Sequence, residues 1–372
     1  MRNKKKLKKI VFVVLGFLVF FFVLQAVIKF VEISPFLFEL IFKKEISLKK
    51  NDNRVNILLL GIGGRNHDGP NLTDTIMLAT LDTKLNQVTL TSIPRDLWVP
   101  DLENTNKKIN TAYAYGENKK AGGGLILAKA IAGKVLNQKV DYAVRIDFDG
   151  FVKAVDLIGG IDVSVERVLD DYEYPIEGKE EDPCDHPEEE LEGLATVSSQ
   201  LEAFPCRYRH VHFDKGEQQM DGKTALTFVR SRHAEGEEGS DFARSKRQEK
   251  IIQAFKDKLF SFQTIINPAK IISLYDILKD SIDTDIKKGE FDDFIRLSRK
   301  MKDASLKSIV IDTGDDETNR QGLLVNPSSF VDYNLQWVLI PRAGNGNFSE
   351  IQKYVACELS NDECSISPVP SN

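Results

Sequence analysis

The sequence has few of the residues on which common catalytic motifs depend. Its 372 residues include five histidines, and none of them forms the HExxH pattern of zinc peptidases. It has no GxSxG segment, so it lacks the nucleophile signature of the α/β-hydrolases. Basic residues are also outnumbered, because 50 lysines and arginines face 56 aspartates and glutamates, for a formal net charge of −6. We therefore do not expect a nucleic-acid-binding protein, since such domains are usually basic.

Cysteine is scarce as well, and its four residues fall into two pairs that are local in sequence. In an exported protein, the simplest of the three possible connectivities is Cys184–Cys206 with Cys357–Cys364. A zinc site is the alternative, although neither pair has CxxC spacing.

The N-terminal segment contains a long run without charge. Residues 10–28 carry only one polar side chain, Gln25, and are long enough to cross a bilayer as a helix. The preceding residues 1–9 are basic and lack acids, which predicts a cytoplasmic tail. We expect a single-pass anchor in the cell membrane, followed by a juxtamembrane stalk (29–53) and an extracytoplasmic domain (54–372). A signal peptide is the competing interpretation, but its apolar region is usually shorter.

From residue 54 onward, short apolar runs alternate with helical patterns, which indicates an α/β fold with a layered sheet. The predicted strands are Val55–Ile62, Thr75–Leu81, Val88–Ile93, Tyr142–Phe148, Ile161–Val165, Thr224–Val229, Ser308–Ile311 and Gln336–Ile340. The predicted helices are Leu125–Leu136, Phe151–Ile158, Phe242–Phe260, 268–280, 290–303 and Phe348–Leu359. Residues 170–213 interrupt this rhythm with acids, prolines and two cysteines, so we expect a disulfide-bearing surface insert.

Charged residues follow the early strands. Arg65 ends a glycine-rich turn, where backbone amides can approach phosphate, although a tight turn with a surface arginine is the alternative. Asp74 opens the second strand and can bind Mg²⁺ through a hard oxygen, unless it only caps a turn. Arg95 and Asp96 close the third strand, at the end where α/β sheets bind ligands, or form a simple surface ion pair. Lys108 adds a point charge suited to phosphate, or is a solvated lysine at the start of a helix.

Four polar residues in the second half have same-face spacing. Arg230 and Arg232 lie two apart on a predicted strand, and Arg244 and Gln248 lie four apart on a predicted helix. Guanidinium groups bind phosphate in a bidentate manner, so this arrangement favours an anionic ligand. The alternative is a structural network of ion pairs with Asp241 and the acidic loop that precedes it.

Seven segments, in order and with similar spacing, resemble the LytR–CpsA–Psr family over roughly residues 54–300. These segments are NILLLGIGGR (56–65), LTDTIMLATL (72–81), VTLTSIPRD (88–96), KINTAYAYG (108–116), DYAVRIDFDGFVKAVDLIGGIDVSV (141–165), MDGKTALTFVRSR (220–232) and DFARSKRQ (241–248). The resemblance implies a single α/β/α domain around a central mixed sheet, preceded by one transmembrane helix.

The resemblance also implies an activity. Members of this family transfer an anionic glycopolymer, such as teichoic acid or capsule, from undecaprenyl diphosphate to a peptidoglycan hydroxyl. Arginines and Mg²⁺ (or Mn²⁺) bind the diphosphate, and an apolar groove takes the prenyl tail. The expected partners are therefore a polyprenyl-diphosphate-linked glycopolymer, peptidoglycan and membrane lipid. If water replaced the acceptor hydroxyl, the same site would show pyrophosphatase activity.

Matching motif by motif carries the family's functional residues onto this sequence. The residues expected to act on the diphosphate or the acceptor are Arg95, Asp96, Arg230, Arg232, Asp241 and Arg244. Those expected to bind the substrate are Arg65, Lys108 and Gln248, and those expected to hold the metal are Asp74 and Asp68. Family members often have an acid near the position of Gly63, so Asp68 is the candidate replacement.

Two other interpretations remain at this stage. The chain is a non-catalytic, membrane-anchored binder of polyprenyl diphosphate lipids or wall polymer if the altered Gly63 loop has cost it turnover. A transcriptional regulator is disfavoured, because nine residues before the membrane are too few for a DNA-reading domain.

Overall fold

The computed structural model describes residues 46–50, 52–64, 69–102, 105–194, 199–259, 281–315, 320–361 and 364. The predicted cytoplasmic tail (1–9), the membrane helix (10–28), residues 29–45 and 51 of the stalk and the predicted helix 268–280 lie outside these ranges. Within them, no helix combines the length and apolar character of a membrane span. The chain divides into two compact units, of which the larger comprises residues 49–286 and 303–372.

The larger unit is built from sixteen described strands. In chain order they are β1 (Arg54–Ile62), β2 (Thr73–Asp82), β3 (Gln87–Ser92), β4 (Trp98–Leu102), β5 (Thr105–Lys108), β6 (Tyr142–Asp147), β7 (Ile161–Val165), β8 (Leu169–Pro175), β9 (Tyr208–Phe213), β10 (Gly216–Met220), β11 (Ile282–Thr284), β12 (Ser305–Val310), β13 (Gly314–Asp315), β14 (Arg320–Gln321), β15 (Leu324–Val325) and β16 (Ile340–Pro341).

Nine α-helices are described, eight of them in the larger unit. They are α1 (Thr111–Lys119), α2 (Gly123–Leu136), α3 (Phe148–Leu157), α4 (Glu188–Leu194), α5 (Gln200–Ala203), α6 (Gly222–Arg230), α7 (Asp241–Leu259), α8 (Phe291–Lys300) and α9 (Ser349–Ser360). The smaller unit contains residues 287–302 and therefore α8, in which Arg296 pairs with Asp293 at 2.8 Å and also with Asp292.

A six-stranded sheet in the order β11-β6-β1-β2-β3-β12 forms the centre of the larger unit. The pairs β1–β6 and β3–β12 are parallel and the other three pairs are antiparallel, so the predicted mixed sheet is confirmed. The apolar residues of β1 alternate between its two faces. Leu58 and Leu60 pack in the cluster with α1, α2 and α9, and Leu59 packs in the cluster that includes Ile252 of α7. Helices therefore cover both faces.

A second apolar core joins α3, α6 and α7 to the strands β7 to β10. Leu169, Val211 and Phe213, at the two ends of the predicted surface insert, belong to this core, because β8 and β9 pair as an antiparallel ladder. One face of this ladder is thus part of the core, whereas α4, in the middle of the insert, buries none of its residues. The predicted disulfides are present, with S–S distances of 1.99 Å for both Cys184–Cys206 and Cys357–Cys364.

One predicted strand is wrong. The run Thr224–Val229 is part of the helix α6, which begins where the Asp221 carboxylate accepts a hydrogen bond from the Thr224 backbone amide at 2.8 Å. Ala225 and Phe228 are spaced three apart and are both buried, so the short apolar run fits a helix face as well as a strand. The predicted strand Gln336–Ile340 is also mostly wrong, since only β16 begins at its last residue.

Candidate active site

A chain of ion pairs joins three segments next to the end of β3. Arg95 contacts the Asp74 carboxylate at 2.5 Å and the Asp96 carboxylate at 3.3 Å, and Lys108 contacts Asp96 at 2.8 Å. Burial lowers the pKa of the Arg95 guanidinium, but the charges of Asp74 and Asp96 outweigh it, so the pKa is raised above its ordinary value. The predicted Arg95–Asp96 pair is therefore part of a four-residue network that keeps Arg95 protonated and in place.

Beside this network lies an open cavity of about 260 Å³. Its polar lining combines side chains from β2, the β3 end, the α6 end and α7, and these are Asp74, Thr75, Arg95, Arg230, Arg232, His233, Arg244 and Gln248. Phe148, Tyr174, Pro175 and Val229 supply an apolar part of the wall. Four of the arginines expected from the sequence are thus brought together around one space.

The first turns of α7 fix one side of this cavity. The Ser240 hydroxyl oxygen accepts a hydrogen bond from the Ala243 amide at 3.1 Å and so caps the helix. Gln248, one turn beyond Arg244, donates to the Thr75 hydroxyl at 3.2 Å. The predicted shared face of Arg244 and Gln248 is confirmed, and it is directed at the start of β2.

Arg230 and Arg232 reach the cavity for a reason different from the predicted one. They do not alternate along a strand, because Arg230 is the last residue of α6 and Arg232 lies beyond the cap residue Ser231, whose backbone is extended. The Arg230 guanidinium lies 4.5 Å from the centre of the Phe148 ring, a cation–π distance. The helix end, and not a strand, therefore orients the pair.

Asp171 holds this turn and was missed in the sequence, where it belongs to an acidic run interpreted as a solvated surface. It is fully buried. One carboxylate oxygen accepts hydrogen bonds from the Ser231 hydroxyl at 2.7 Å, the Arg232 amide at 3.1 Å and the His233 amide at 3.3 Å. The other oxygen accepts from the Glu173 amide at 3.0 Å. Only the pairing of β8 brings Asp171 to this turn, so no local sequence signal marks it.

Arg247 supports the same turn from α7 and was also missed. It donates to the carbonyl oxygens of Phe228 at 3.1 Å and Ser231 at 2.8 Å, so it satisfies acceptors at the C-terminal end of α6. Burial lowers the pKa of its guanidinium, against the opposing charge of Glu238, which it contacts at 2.8 Å. Glu238 also pairs with Arg167 at 3.1 Å. The acidic loop is thus engaged by these two arginines.

Three expected site residues are not placed by the structure. Arg65 and Asp68 lie outside the described ranges, and Asp241 begins α7 but its side chain is not described.

The site contains one described carboxylate suited to a hard cation. Asp74 lines the cavity with a side chain that is 28% exposed, and Arg95 engages only its Oδ1 oxygen. Mg²⁺ commonly binds one or two carboxylates together with substrate phosphates, so this donor fits the ion. Among the described residues, the groups of three or more potential metal ligands lie elsewhere, on β8–β9 and at the Cys184–Cys206 bridge.

Comparison with known proteins identifies the fold and the family. The model of the LytR_cpsA_psr family matches residues 38–329. A curated relative from Oceanobacillus iheyensis, the polyisoprenyl-teichoic acid–peptidoglycan teichoic acid transferase TagU, is 27% identical over 245 residues, or 66% of this chain. The match spans 63% of that relative, less than two thirds of its length.

Two solved structures share the fold of this chain. The structure of Bacillus subtilis TagV has a TM-score of 0.53 and 24% identity, and the alignment covers 83% of this chain and 98% of TagV. The structure described as TagT bound to LI-WTA has a TM-score of 0.51 and 21% identity, covering 86% and 95%. Because the family model matches most of its length, the chain belongs to the LytR_cpsA_psr family.

Proposed function

We propose that this chain is a phosphotransferase that attaches an anionic glycopolymer to peptidoglycan from a polyprenyl diphosphate carrier. The observation that carries this proposal is the convergence of Arg95, Arg230, Arg232 and Arg244 on one cavity in an otherwise acidic protein. Such a cluster attracts and orients a diphosphate. Membership of the family and the transferase name of the relative support teichoic acid as the cargo, and a capsule-like polymer is the alternative cargo in our proposal.

The proposed reaction exchanges one phosphorus–oxygen bond for another. The acceptor hydroxyl attacks the phosphorus that carries the sugar, and the bond to the bridging oxygen breaks, so polyprenyl phosphate leaves. Charge develops on the phosphoryl oxygens in this step, and fixed cations stabilise it most when they need no rearrangement. The salt bridges of Arg95 and the hydrogen bonds that fix the Arg232 backbone provide this preorganisation.

Two aspartates were expected near the acceptor. Asp96 contacts Lys108 through one carboxylate oxygen and Arg95 through the other, so we assign it the orientation of these cations. The acceptor proton is then taken by Asp241 in our proposal. Asp74 would hold Mg²⁺ or Mn²⁺, and the ion would neutralise part of the diphosphate charge. Residues 10–28 would anchor the chain in the cell membrane, with the catalytic domain on the outer side.

A second candidate function is a non-catalytic binder of polyprenyl diphosphate lipids or wall polymer. The feature in its favour is the loop after β1, where Gly63 stands near a position at which the family resemblance leads us to expect an acid. Such a protein would keep the arginine cavity and its affinity for the lipid but would release no product.

One experiment separates these functions. Full-length protein in detergent is given a short-chain prenyl diphosphate with and without Mg²⁺, and both binding and phosphate release are measured. The control for Arg230→Ala is Arg299→Ala, because Arg299 is exposed and lies in α8. The transferase proposal expects Mg²⁺-dependent turnover that falls about 100-fold or more in Arg230→Ala. Binding without product would establish the binder, and the absence of both would refute the two proposals together.

A further inference from the structure

A cluster of two histidines and one aspartate lies on the outer face of the β8–β9 ladder. His210 and His212 are two apart on β9, so their side chains share a face, and Asp170 of β8 is paired in register with His212. The chain segment between the two strands separates these residues by about forty positions, and for this reason their sequence spacing matches no metal motif.

The ligand atoms of this cluster are already close together. His210 Nε2 lies 2.8 Å and His212 Nδ1 lies 2.7 Å from the same carboxylate oxygen of Asp170. Ligand atoms around a tetrahedral zinc ion lie about 3.3 Å apart, given zinc–ligand distances near 2 Å. The three side chains therefore need to separate only slightly, and both imidazole rings are 43% exposed and have room to do so.

Two further contacts orient the imidazole rings. His212 Nε2 lies 3.2 Å from the Asp214 carboxylate, which favours the tautomer that leaves Nδ1 as a lone-pair donor. A histidine bound to a metal almost always gives its second nitrogen such a carboxylate or carbonyl partner. The Tyr172 ring stacks on His210 with centroids 4.1 Å apart and an interplanar angle of 5°. The His212 ring is thus held in a manner typical of a metal ligand, and stacking holds the His210 ring beside it.

We propose that Asp170, His210 and His212 bind a divalent transition-metal ion of the Zn²⁺ class, with water completing its coordination. Two imidazole nitrogens and one carboxylate suit Zn²⁺, whereas Mg²⁺ prefers oxygen ligands alone. The site is therefore chemically distinct from the one proposed at Asp74.

Because of where the site lies, a bound ion would also stabilise the turn that carries Arg232. Asp170 and Asp171 are neighbours on β8 and point to opposite faces of the ladder. Asp170 faces the outer cluster, while Asp171 accepts the hydrogen bonds that fix Ser231 and Arg232. An ion that ties Asp170 to β9 fixes the strand that carries Asp171, and thereby stabilises the turn on which Arg232 lies.

The competing explanation is an ion-pair cluster that takes no metal. Hydrogen bonds to Asp170 and Asp214 raise the pKa of His212. A protonated His212 without a metal ion would therefore also account for the close contacts in the cluster. Metal binding and its dependence on each residue distinguish the two cases.

The test uses the full-length protein without a histidine tag, in detergent, at neutral pH. Zn²⁺ is titrated against the wild type and against His210→Ala, His212→Ala and Asp170→Asn, and the melting temperature is followed in parallel. His186→Ala is the matched control, because His186 also pairs with an acid, Glu190, at 4.0 Å but lies outside both the cluster and the arginine cavity.

We expect one Zn²⁺ per chain, an affinity reduced about tenfold or more in each of the three cluster variants, and no change in the control. Zn²⁺ should raise the melting temperature of the wild type more than that of each folded cluster variant. Melting curves without metal show whether each variant folds. Wild type that fails to saturate below about 100 µM Zn²⁺, or folded cluster variants that bind like wild type, would overturn the proposal.

Discussion

Replacing the buried carboxylate of Asp171 tests how the arginine cavity is built. The native carboxylate accepts four hydrogen bonds, one from a hydroxyl and three from backbone amides. In Asp171→Asn, the side chain keeps one acceptor oxygen, but its amide group then faces donors in place of the second oxygen. Hydrogen bonds to a charged group contribute about 1.5–3 kcal/mol each, and a buried donor left without an acceptor costs about 1–3 kcal/mol. We therefore expect the free energy of unfolding to fall by about 3 kcal/mol and the melting temperature by about 4–6 °C.

The same substitution should weaken ligand binding while the protein is still folded. The Arg232 amide loses a fixed acceptor, so the turn beyond α6 is less ordered and the guanidinium is no longer preorganised for a diphosphate. The assays are thermal melting and prenyl diphosphate affinity, measured well below the melting temperature of the variant.

Asp162→Asn is the matched control, since Asp162 is exposed and only pairs with Lys258 at 3.4 Å. We expect this control to change the free energy of unfolding by less than about 0.5 kcal/mol. The reasoning about the turn is refuted if Asp171→Asn matches this control in both assays.

Three further predictions concern other parts of the molecule. Arg244→Ala should lower prenyl diphosphate affinity about tenfold or more, because Arg244 lines the cavity; unchanged affinity in a binding titration would contradict this. Burial raises the pKa of Asp82, but hydrogen bonds from Arg54 and two backbone amides outweigh it and hold the pKa below 3.8. The ionised Asp82 side chain therefore stabilises the fold above pH 3.8, and this contribution is lost as the pH falls through the lowered pKa. The melting temperatures of Asp82→Asn and the wild type should accordingly become equal in acid. Removing the Cys184–Cys206 bridge, which spans 22 residues, should cost about 3 kcal/mol of unfolding free energy, measured by denaturant titration of the Cys184→Ala/Cys206→Ala double variant.

The strands of the central sheet could be predicted from sequence because each one carries its own signal. The runs that became β1, β2 and β3 are apolar and end at glycines or charged residues, and their bounds agree with the structure within two residues. The run that became α6 has no such signal, because its few apolar residues fit both the three-to-four-residue spacing of a helix face and the alternation of a strand. The helix is selected by the cap at Asp221 and by burial of Phe228 in the second core.

The same distinction between local and long-range signals explains what could be predicted of the site. Arg95, Arg230, Arg232 and Arg244 stand out because several arginines at the ends of apolar elements are unusual in an acidic chain, and the structure brings all four to one cavity. Asp171 and the cluster of Asp170 with His210 and His212 stayed hidden, because their roles arise from the pairing of β8 with β9 and with the chain beyond α6. An acidic run looks solvated in a sequence whether or not one member is buried. Only the register of the ladder shows that alternate residues of this run face opposite sides, one supporting the arginine turn and the other facing two histidines.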